Sequence, residues 1–351
     1  MRAERSPLLT AGAAIVAGFG ALLLGLLIAG YDPLLAVGAL WRGAFGSRDA
    51  LISATLVRAV PLIVLGLAVA VAFRAGALNI GGEGQFYAGA IAATWMGMHL
   101  GGWPAPFAIT AVWLVATVAG AGWIAFAVLL KLRFGVLEVI STLLLNFVAE
   151  AAVSYAVTGP LQEAQRVYPQ SEPIAEVARL PLLPGSRLHS GILLALVLAA
   201  LLWLILTRTV WGFRLRAVGL GPRAAWVSGR ISPQRVTGFA LLWSGALAGL
   251  AGGLEVSGVS YSLYQNLSPG YGFTAIAVAL LARLHPLAIV ATGVLFGGLE
   301  AGAQGMQREA GVPAVTVAAA EAVIIITVLL ADVLARRQVR SRVDTLERES
   351  A

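Results

Sequence analysis

The stretch Phe73-Arg74-Ala75-Gly76-Ala77-Leu78-Asn79-Ile80-Gly81-Gly82-Glu83-Gly84-Gln85 decides the fold of this chain. It is a glycine-rich polar break between two apolar runs, the first of which covers residues 54–73. Backbone without regular hydrogen bonds is tolerated at membrane depth only where protein buries it or where it lines a water-filled cavity. Glycine-interrupted membrane segments therefore point to a transport pathway. The break predicts a membrane protein that moves a solute.

The composition agrees with a membrane protein. Hydrophobic residues make up 59% of the 351 positions and charged residues only 12%, against about 25% charged residues in soluble domains. The mean hydropathy is +0.87. The absence of cysteine excludes a disulfide scaffold and thiolate metal sites. The net charge of +7 comes from arginines beside apolar runs, with no separate basic domain, so we expect membrane lipid and no nucleic acid as a partner.

Ten apolar segments predict an all-α, polytopic membrane protein. They cover approximately residues 8–30, 54–73, 83–100, 104–130, 136–158, 189–207, 236–258, 271–283, 286–303 and 313–332. Most reach the roughly 20 residues that a membrane-spanning helix needs. Segment 271–283 is too short and is expected to be a broken or half helix. The first segment is too long for a signal peptide and no small-x-small cleavage site follows it.

The distribution of positive charge predicts that both termini are cytoplasmic. With that orientation, 17 of the 24 Lys and Arg residues lie in cytoplasmic segments, six lie in outer segments, and Arg58 lies within the second span. This is the positive-inside pattern. We therefore expect one permease domain over residues 1–351, with a membrane core at about 8–332. An outer loop at 159–188, a cytoplasmic coupling loop at 208–235 and a basic C-terminal tail at 333–351 complete it.

The loop 208–235 contains six arginines and no acid. Pro222 can start a helix at its first turn, Ala224 and Ala225 can continue it, and Gly229 can end it. A short helix with exposed small and apolar residues is suited to docking into a groove of another protein. The alternative is a basic loop that only sets the topology.

Polar residues within the apolar segments are candidates for lining the path. Asn79, Glu83 and Gln85 could contact solute, or they could bond the exposed backbone of the break. Asn146 could bind a sugar hydroxyl or base edge, or form an interhelical hydrogen bond. An ionised side chain in such a span costs at least about 2.5 kcal/mol and usually faces the bundle interior or a water path. The acids in this position are Glu83, Glu150, Glu255, Glu300 and Glu321.

Glycines at four-residue spacing are expected to mediate helix packing. They form the pattern Gly245-x-x-x-Gly249-x-x-x-Gly253, and Gly298 and Gly302 repeat it. Small residues on one helix face allow close approach of two backbones. The alternative is a sliding surface for alternating access.

Residues for catalysis, metal binding or ATP binding are missing from the sequence. A phosphate-binding loop needs a lysine after its glycine turn, and the only lysine, Lys131, has no glycine loop. The histidines His99, His189 and His285 are far apart, without helical pairing. No motif of a hydrolase or a metalloprotease is present. We expect no enzyme activity, no catalytic residue, no metal site and no cofactor in this chain.

The order and spacing of these motifs resemble the permease subunits of bacterial ABC importers in the ribose and nucleoside branch. Phe73-Arg74-Ala75-Gly76 followed by Asn79 to Gln85 is most similar to nucleoside permeases that work with basic-membrane-protein-type lipoproteins. The resemblance covers approximately residues 54–332. Its other motifs are Ala217-Val218-Gly219, Ala224-Ala225, Ser228-Gly229, Ala246-Leu247-Ala248-Gly249-Leu250-Ala251-Gly252-Gly253, Gly270-Tyr271-Gly272-Phe273-Thr274-Ala275-Ile276-Ala277 and Phe296-Gly297-Gly298-Leu299.

The resemblance implies a complex of two permeases and two ATPases, fed by an external solute-binding lipoprotein, in the bacterial inner membrane. The second permease would be a different chain, and ATP and Mg would bind to the ATPase. The break and the short segment near Phe273 would line the path. Docking on the ATPase would involve Arg216, Gly219, Pro222, Ala224, Ala225, Ser228 and Gly229.

A nucleoside is the expected cargo, and a simple sugar or a riboflavin-like solute is the alternative. A different mechanism is a proton-coupled secondary transporter that acts alone and uses an intramembrane glutamate as its proton carrier. The acids permit it, but the arginine-rich loop is better explained by an ATPase partner. A membrane scaffold without transport fits poorly with the polar breaks.

Overall fold

The computed structural model describes residues 7–229, 231–313, 315–319, 322–323 and 326–327. Within these residues the chain forms twelve α-helices of eight residues or more, further helical residues at 315–319, and no strand beyond three isolated bridges. The helices are α1 Pro7–Ile28, α2 Pro33–Phe45, α3 Leu56–Arg74, α4 Gly82–Met98, α5 Ala105–Phe134, α6 Glu138–Thr158, α7 Gly191–Arg208, α8 Val210–Leu220, α9 Pro222–Gly229, α10 Pro233–Glu255, α11 Tyr271–Leu281 and α12 Pro286–Ala310. The all-α class is confirmed.

Six of the described helical segments are long and apolar enough to cross a membrane. They are Ala50–Arg74, Ala105–Phe134, Glu138–Thr158, Gly191–Arg208, Pro233–Ser260 and Pro286–Ala310. The first and fifth of these include π-helical turns, Ala50–Thr55 before α3 and Val256–Ser260 after α10. Helix α11 has only 11 residues, which confirms the expectation of a half helix. The predicted segment 313–332 and the tail 333–351 lie largely or wholly outside the described residues.

The described helices belong to two compact units. One unit comprises residues 44–298, and the other the described parts of residues 1–43 and 299–351. In the smaller unit, α2 packs on the C-terminal part of α12 through small residues. A Cβ added to Gly305 would lie 2.9 Å from the Ala39 carbonyl oxygen and from the Gly43 Cα. The Arg42 guanidinium forms a 2.6 Å salt bridge with Glu309.

Helix α10 is at the centre of the larger unit, where it packs against α3, α4 and α5. Its glycines allow this packing. A Cβ on Gly249 would collide with the Ala116 carbonyl oxygen and would lie 2.7 Å from the Gly120 Cα. A Cβ on Gly253 would lie 2.7 Å from that of Ala116. The glycine pattern is therefore a packing face against α5.

The loops of the larger unit gather at two opposite ends. At one end, the Arg74 side chain donates a 3.0 Å hydrogen bond to the Leu284 carbonyl, and Gly219 packs against the backbone of Arg74 and Gly76. At the other end, the Leu180 amide bonds the Ser257 carbonyl at 2.8 Å. Arg74, Arg283 and the loop 208–235 therefore share one end, as the charge pattern predicts for the cytoplasmic side.

Candidate functional site

The polar break begins where α3 ends in a glycine cap. The Gly76 amide bonds the Phe73 carbonyl at 3.0 Å and the Ala77 amide bonds the Ala72 carbonyl at 3.1 Å. These two bonds form a Schellman motif, and Gly76 supplies its left-handed residue with φ of 74°. The helix therefore stops at a position that the sequence encodes, and the chain leaves it in a new direction.

Residues 77–81 continue as non-helical backbone that the protein covers. Ala77, Asn79 and Gly81 are buried, whereas the Leu78 side chain is 47% exposed. Asn79 contacts Ser244, which lies about 16 Å from the start of α10. This distance places the break at membrane depth. Its burial satisfies the requirement that irregular backbone there be covered by protein.

An amide network holds the break in place. The Asn79 Nδ2 donates to the Gln85 Oε1 at 2.9 Å and to the Ser244 Oγ at 2.8 Å. The Asn79 Oδ1 accepts from the Gln85 Nε2 at 3.0 Å and from the Gly81 amide at 2.9 Å. Asn79 and Gln85 are both almost completely buried. Their side chains therefore satisfy each other and the turn into α4.

Asn146 of α6 fixes the start of α4 from the other side. It is fully buried, and its Oδ1 accepts from the Gly84 amide at 2.8 Å while its Nδ2 donates to the Ile80 carbonyl at 3.0 Å. The Ile80 amide bonds the Thr142 hydroxyl at 3.3 Å. A single amide side chain thus replaces two backbone partners that an unbroken helix would supply.

Glu83 joins the start of α4 to the start of α11. Its side chain is 2% exposed, and its Oε2 accepts a 2.6 Å hydrogen bond from the Gly272 amide. A Cβ on Gly272 would lie 2.6 Å from the Glu83 Cα, so only glycine permits this approach. The N-terminus of a helix carries unpaired amides and positive potential. A carboxylate is therefore well placed there.

The loop before α11 supplies the remaining caps. The Ser268 Oγ accepts from the Gly270 amide at 3.1 Å and from the Tyr271 amide at 2.9 Å. Gly270 precedes the helix with φ of 100°. The next aromatic residue, Phe273, is 39% exposed. Of the five predicted path residues, the four polar ones are thus brought together and bonded within the protein, and Phe273 retains an open face. Their contact with a solute stays a prediction.

The other intramembrane acids occupy different surroundings. Glu255 is buried and interacts electrostatically with Arg58. Glu300 is half-buried, and Glu150 is exposed on α6. Glu321 lies outside the described residues. Sequence reasoning missed the partners Ser244, Thr142 and Ser268, because single hydroxyl residues in apolar helices carry no pattern that marks their contacts.

The predicted docking helix is present as α9. It runs from Pro222 to Gly229, with the bounds expected from the sequence. Pro222, Ala224 and Gly229 are exposed, whereas Ala225 is buried. The side chain of Ser228 is not described. Arg216 and Gly219 lie on α8, where Arg216 is half-buried and donates to the Leu206 carbonyl.

Exposed apolar side chains surround α9 at this end of the protein. Val227 is 80% exposed, and Leu220, Phe213 and Trp226 also have large exposed fractions. This surface lies beside Gly219, which contacts the end of α3 and the start of the break. A displacement of α8 and α9 would therefore act on the start of the break through the contact between Gly219 and the backbone of Arg74 and Gly76.

A cavity, and the absence of a metal-binding cluster from the described part of the chain, bear on the possible ligands. The apolar cavity, of about 550 Å³, lies between α4, α5 and α6, and its walls include Trp95, Trp123 and Tyr155. Its walls are almost entirely apolar, whereas sites for sugars and bases need several polar groups. Among the described residues, no group of three or more His, Cys, Asp or Glu side chains could hold a metal ion.

Comparison with known proteins relates the chain to transport systems. The family described as "Branched-chain amino acid transport system / permease component" matches residues 51–331. A guanosine ABC transporter permease from Bacillus subtilis is 38% identical over 320 residues, covering 90% of this chain and 91% of the relative. A glucose ABC transporter permease from Haloferax volcanii is 35% identical, and the match covers 95% of this chain and 89% of the relative. A nucleoside ABC transporter permease from Lactococcus lactis is 33% identical, and the match covers 86% of this chain and 84% of the relative. No solved structure matches the chain significantly.

Proposed function

We propose that this chain, which belongs to the branched-chain amino acid transport system permease family and is the permease subunit of an ABC transporter, imports a nucleoside. The observation that carries this cargo is the 38% identity, over nine-tenths of the chain, to a guanosine permease. A second nucleoside permease is similar over most of its length. The site is compatible with this cargo, since the exposed aromatic face of Phe273 can stack on a base.

We infer that the path runs beside the facing N-termini of α4 and α11. Both helices begin within the membrane core, and Glu83 connects them. Broken helices of this kind are typical of transporter binding sites. In this proposal Asn79, Gln85 and Asn146 hold the wall of the path, and Phe273 offers an aromatic face to the solute.

Energy would come from a separate ATPase that docks on α9. Pro222, Ala224 and Gly229 are exposed there, and the apolar side chains around them fit a groove on a partner. Movement of α9 would pass through α8 and Gly219 to the break. We propose that the complete importer contains a second, different permease and an extracytoplasmic binding lipoprotein, in the bacterial inner membrane. ATP and Mg would bind to the ATPase.

A sugar is the second candidate cargo, favoured by the 35% identity to a glucose permease over 95% of the chain. Uptake of labelled guanosine into proteoliposomes that contain the whole importer separates the two. Unlabelled nucleosides are expected to compete, whereas glucose, ribose and riboflavin are expected not to. Competition by a sugar or by riboflavin would keep the ABC mechanism and overturn the nucleoside cargo.

A further inference from the structure

Glu150 is exposed in the middle of an apolar span. It lies about 18 Å from the start of α6 and about 12 Å from its end. Glutamate is too short to extend its charge to an interface from there, as long Lys and Arg side chains do. Within the described part of the chain, its carboxylate has no hydrogen bond and no salt bridge.

A carboxylate in this position cannot face lipid at low cost. An ionised side chain at the centre of a span costs at least about 2.5 kcal/mol, and such residues nearly always face protein or water. The neighbouring face of α6, with Leu144, Val148 and Tyr155, is apolar and exposed. At 3.6 residues per turn, these three residues lie roughly 120–160° around α6 from Glu150, which is on the side of Asn146 and Ser154.

The neighbours of Glu150 belong to the proposed path. Ser154, one turn further along α6, accepts a 2.8 Å hydrogen bond from Gln265 in the loop before α11. Asn146, one turn before Glu150, accepts a 2.8 Å hydrogen bond from the Gly84 amide at the start of α4. Glu150 therefore lies on α6 between a contact with the start of α4 and a contact with the loop before α11.

Aromatic faces are available on the same side. Phe147, one turn before Glu150, is 60% exposed, and Tyr264 in the loop before α11 is also exposed. Stacking of a base on an aromatic side chain contributes about 1–3 kcal/mol to the binding free energy. A carboxylate accepts two parallel N–H donors, and acidic side chains accept from amino groups of bases. An aromatic face next to a carboxylate is thus a recognition element for a base with N–H donors.

We propose that the Glu150 carboxylate faces the solute path and sets specificity by accepting hydrogen bonds from the passing nucleoside. This inference rests on the proposed function and deepens it. Glu83 is not suited to this role, because it is buried and its carboxylate already binds the Gly272 amide. Guanine fits best among the bases, because its N1–H and its 2-amino group point in the same direction. Inosine lacks that amino group.

ATP-dependent uptake of guanosine, inosine and 2′-deoxyguanosine by the reconstituted importer tests this role. The Glu150→Gln variant keeps the size of the side chain and loses the charge. Its preference for guanosine over inosine is expected to fall about tenfold, which corresponds to the loss of one good base contact. The matched control is Glu176→Gln, the same change at an exposed acid of the outer loop, and it is expected to keep the wild-type preference.

The outcomes separate the two proposals. Wild-type uptake together with unchanged preferences in Glu150→Gln would overturn the role of Glu150 alone. Absence of nucleoside uptake by the wild type would overturn the proposed function, and this role with it. A loss confined to guanosine over 2′-deoxyguanosine would support the hydrogen bond and place it on the ribose.

Assembly is checked by the basal ATPase rate and by elution as an intact complex. If Glu150→Gln does not assemble, Glu150→Asp replaces it, with a shorter carboxylate. A changed guanosine preference in that variant supports the role, and an unchanged preference overturns it. Failure of both variants to assemble would show that Glu150 is required for assembly, which also overturns the role.

Discussion

The Glu83 carboxylate and the Gly272 amide form a 2.6 Å hydrogen bond between residues 189 positions apart in the chain. The bond connects the first turns of two helices that both begin within the membrane core. Helix α11, with 11 residues, is too short to cross the membrane alone, and α4, with 17 residues, begins inside the core. This pair is thus the point where the half helix α11 is held against the start of α4.

Replacing Glu83 by alanine is expected to destabilise the protein. The Gly272 amide would stay buried without an acceptor, which costs about 1–3 kcal/mol. Glu83→Gln keeps an acceptor oxygen, so its loss is expected to be smaller, and ATP-driven uptake should persist. Thermal unfolding of the purified complex measures both, with Glu176→Ala in the exposed outer loop as control. Equal melting temperatures for Glu83→Ala and wild type would contradict the account.

Gly249→Ala is expected to destabilise the packing of α10 on α5. The added Cβ would meet the Ala116 carbonyl and would lie 2.7 Å from the Gly120 Cα. Such overpacking costs about 1–3 kcal/mol. Gly122→Ala on α5 is the matched control, because nothing lies within 4 Å of its added Cβ. That change should be neutral or stabilise the helix by up to about 1 kcal/mol. Similar thermal stability in the two variants would argue against this packing face.

A charge at the centre of the α9 surface should weaken ATPase binding. Val227 is 80% exposed, and an unpaired carboxylate buried there against a partner would cost about 2 kcal/mol or more. Val227→Asp is therefore expected to lower the affinity for the ATPase at least about thirtyfold, as measured by titration of the purified ATPase against the permeases. Val167→Asp, at an exposed outer-loop position, should bind normally. Normal binding by both variants would refute docking on α9.

His189 should make the outer end sensitive to acid. It is buried between Gly191 and Gly258, and burial lowers its pKa from 6.5 to about 4. The folded pKa is below the unfolded one, so the unfolded state binds more protons between these values. Its contribution to stability is thus complete above about pH 6.5 and is lost as the pH falls towards 4.

Between pH 7 and pH 4.5 this loss amounts to about 2 kcal/mol from His189 alone. The variant His189→Gln removes the titrating group and should show a correspondingly smaller fall in melting temperature between the two pH values. An identical fall in the variant and the wild type would show that His189 is not the group responsible.

Local features of the fold could be predicted from the sequence, because each depends on residues close together in the chain. Gly76 ends α3, Pro222 and Gly229 bound α9, and the short segment after Gly270 is a half helix. Helix α2 was not among the predicted segments. Its 13 residues are fewer than a span requires, and Arg42 interrupts its apolar pattern. Helix α8 lies within the predicted loop 208–235, because Arg214 and Arg216 interrupt its apolar pattern.

The partners of the site residues could not be predicted. Asn79 meets Ser244 across 165 positions and Glu83 meets Gly272 across 189. Such pairs depend on how whole helices pack, and helical periodicity in one segment contains no information on the other. The sequence therefore identified the polar residues but left open whether they bond solute or backbone.

The dependence of uptake on ATP hydrolysis tests the central claim most directly. Proteoliposomes would contain this chain with its partner permease, ATPase and binding protein, and labelled guanosine would be supplied on the binding-protein side. The account predicts uptake with ATP on the ATPase side, no uptake with a non-hydrolysable analogue, and no effect of a protonophore. Uptake by this chain alone that collapses with the proton gradient would contradict the account.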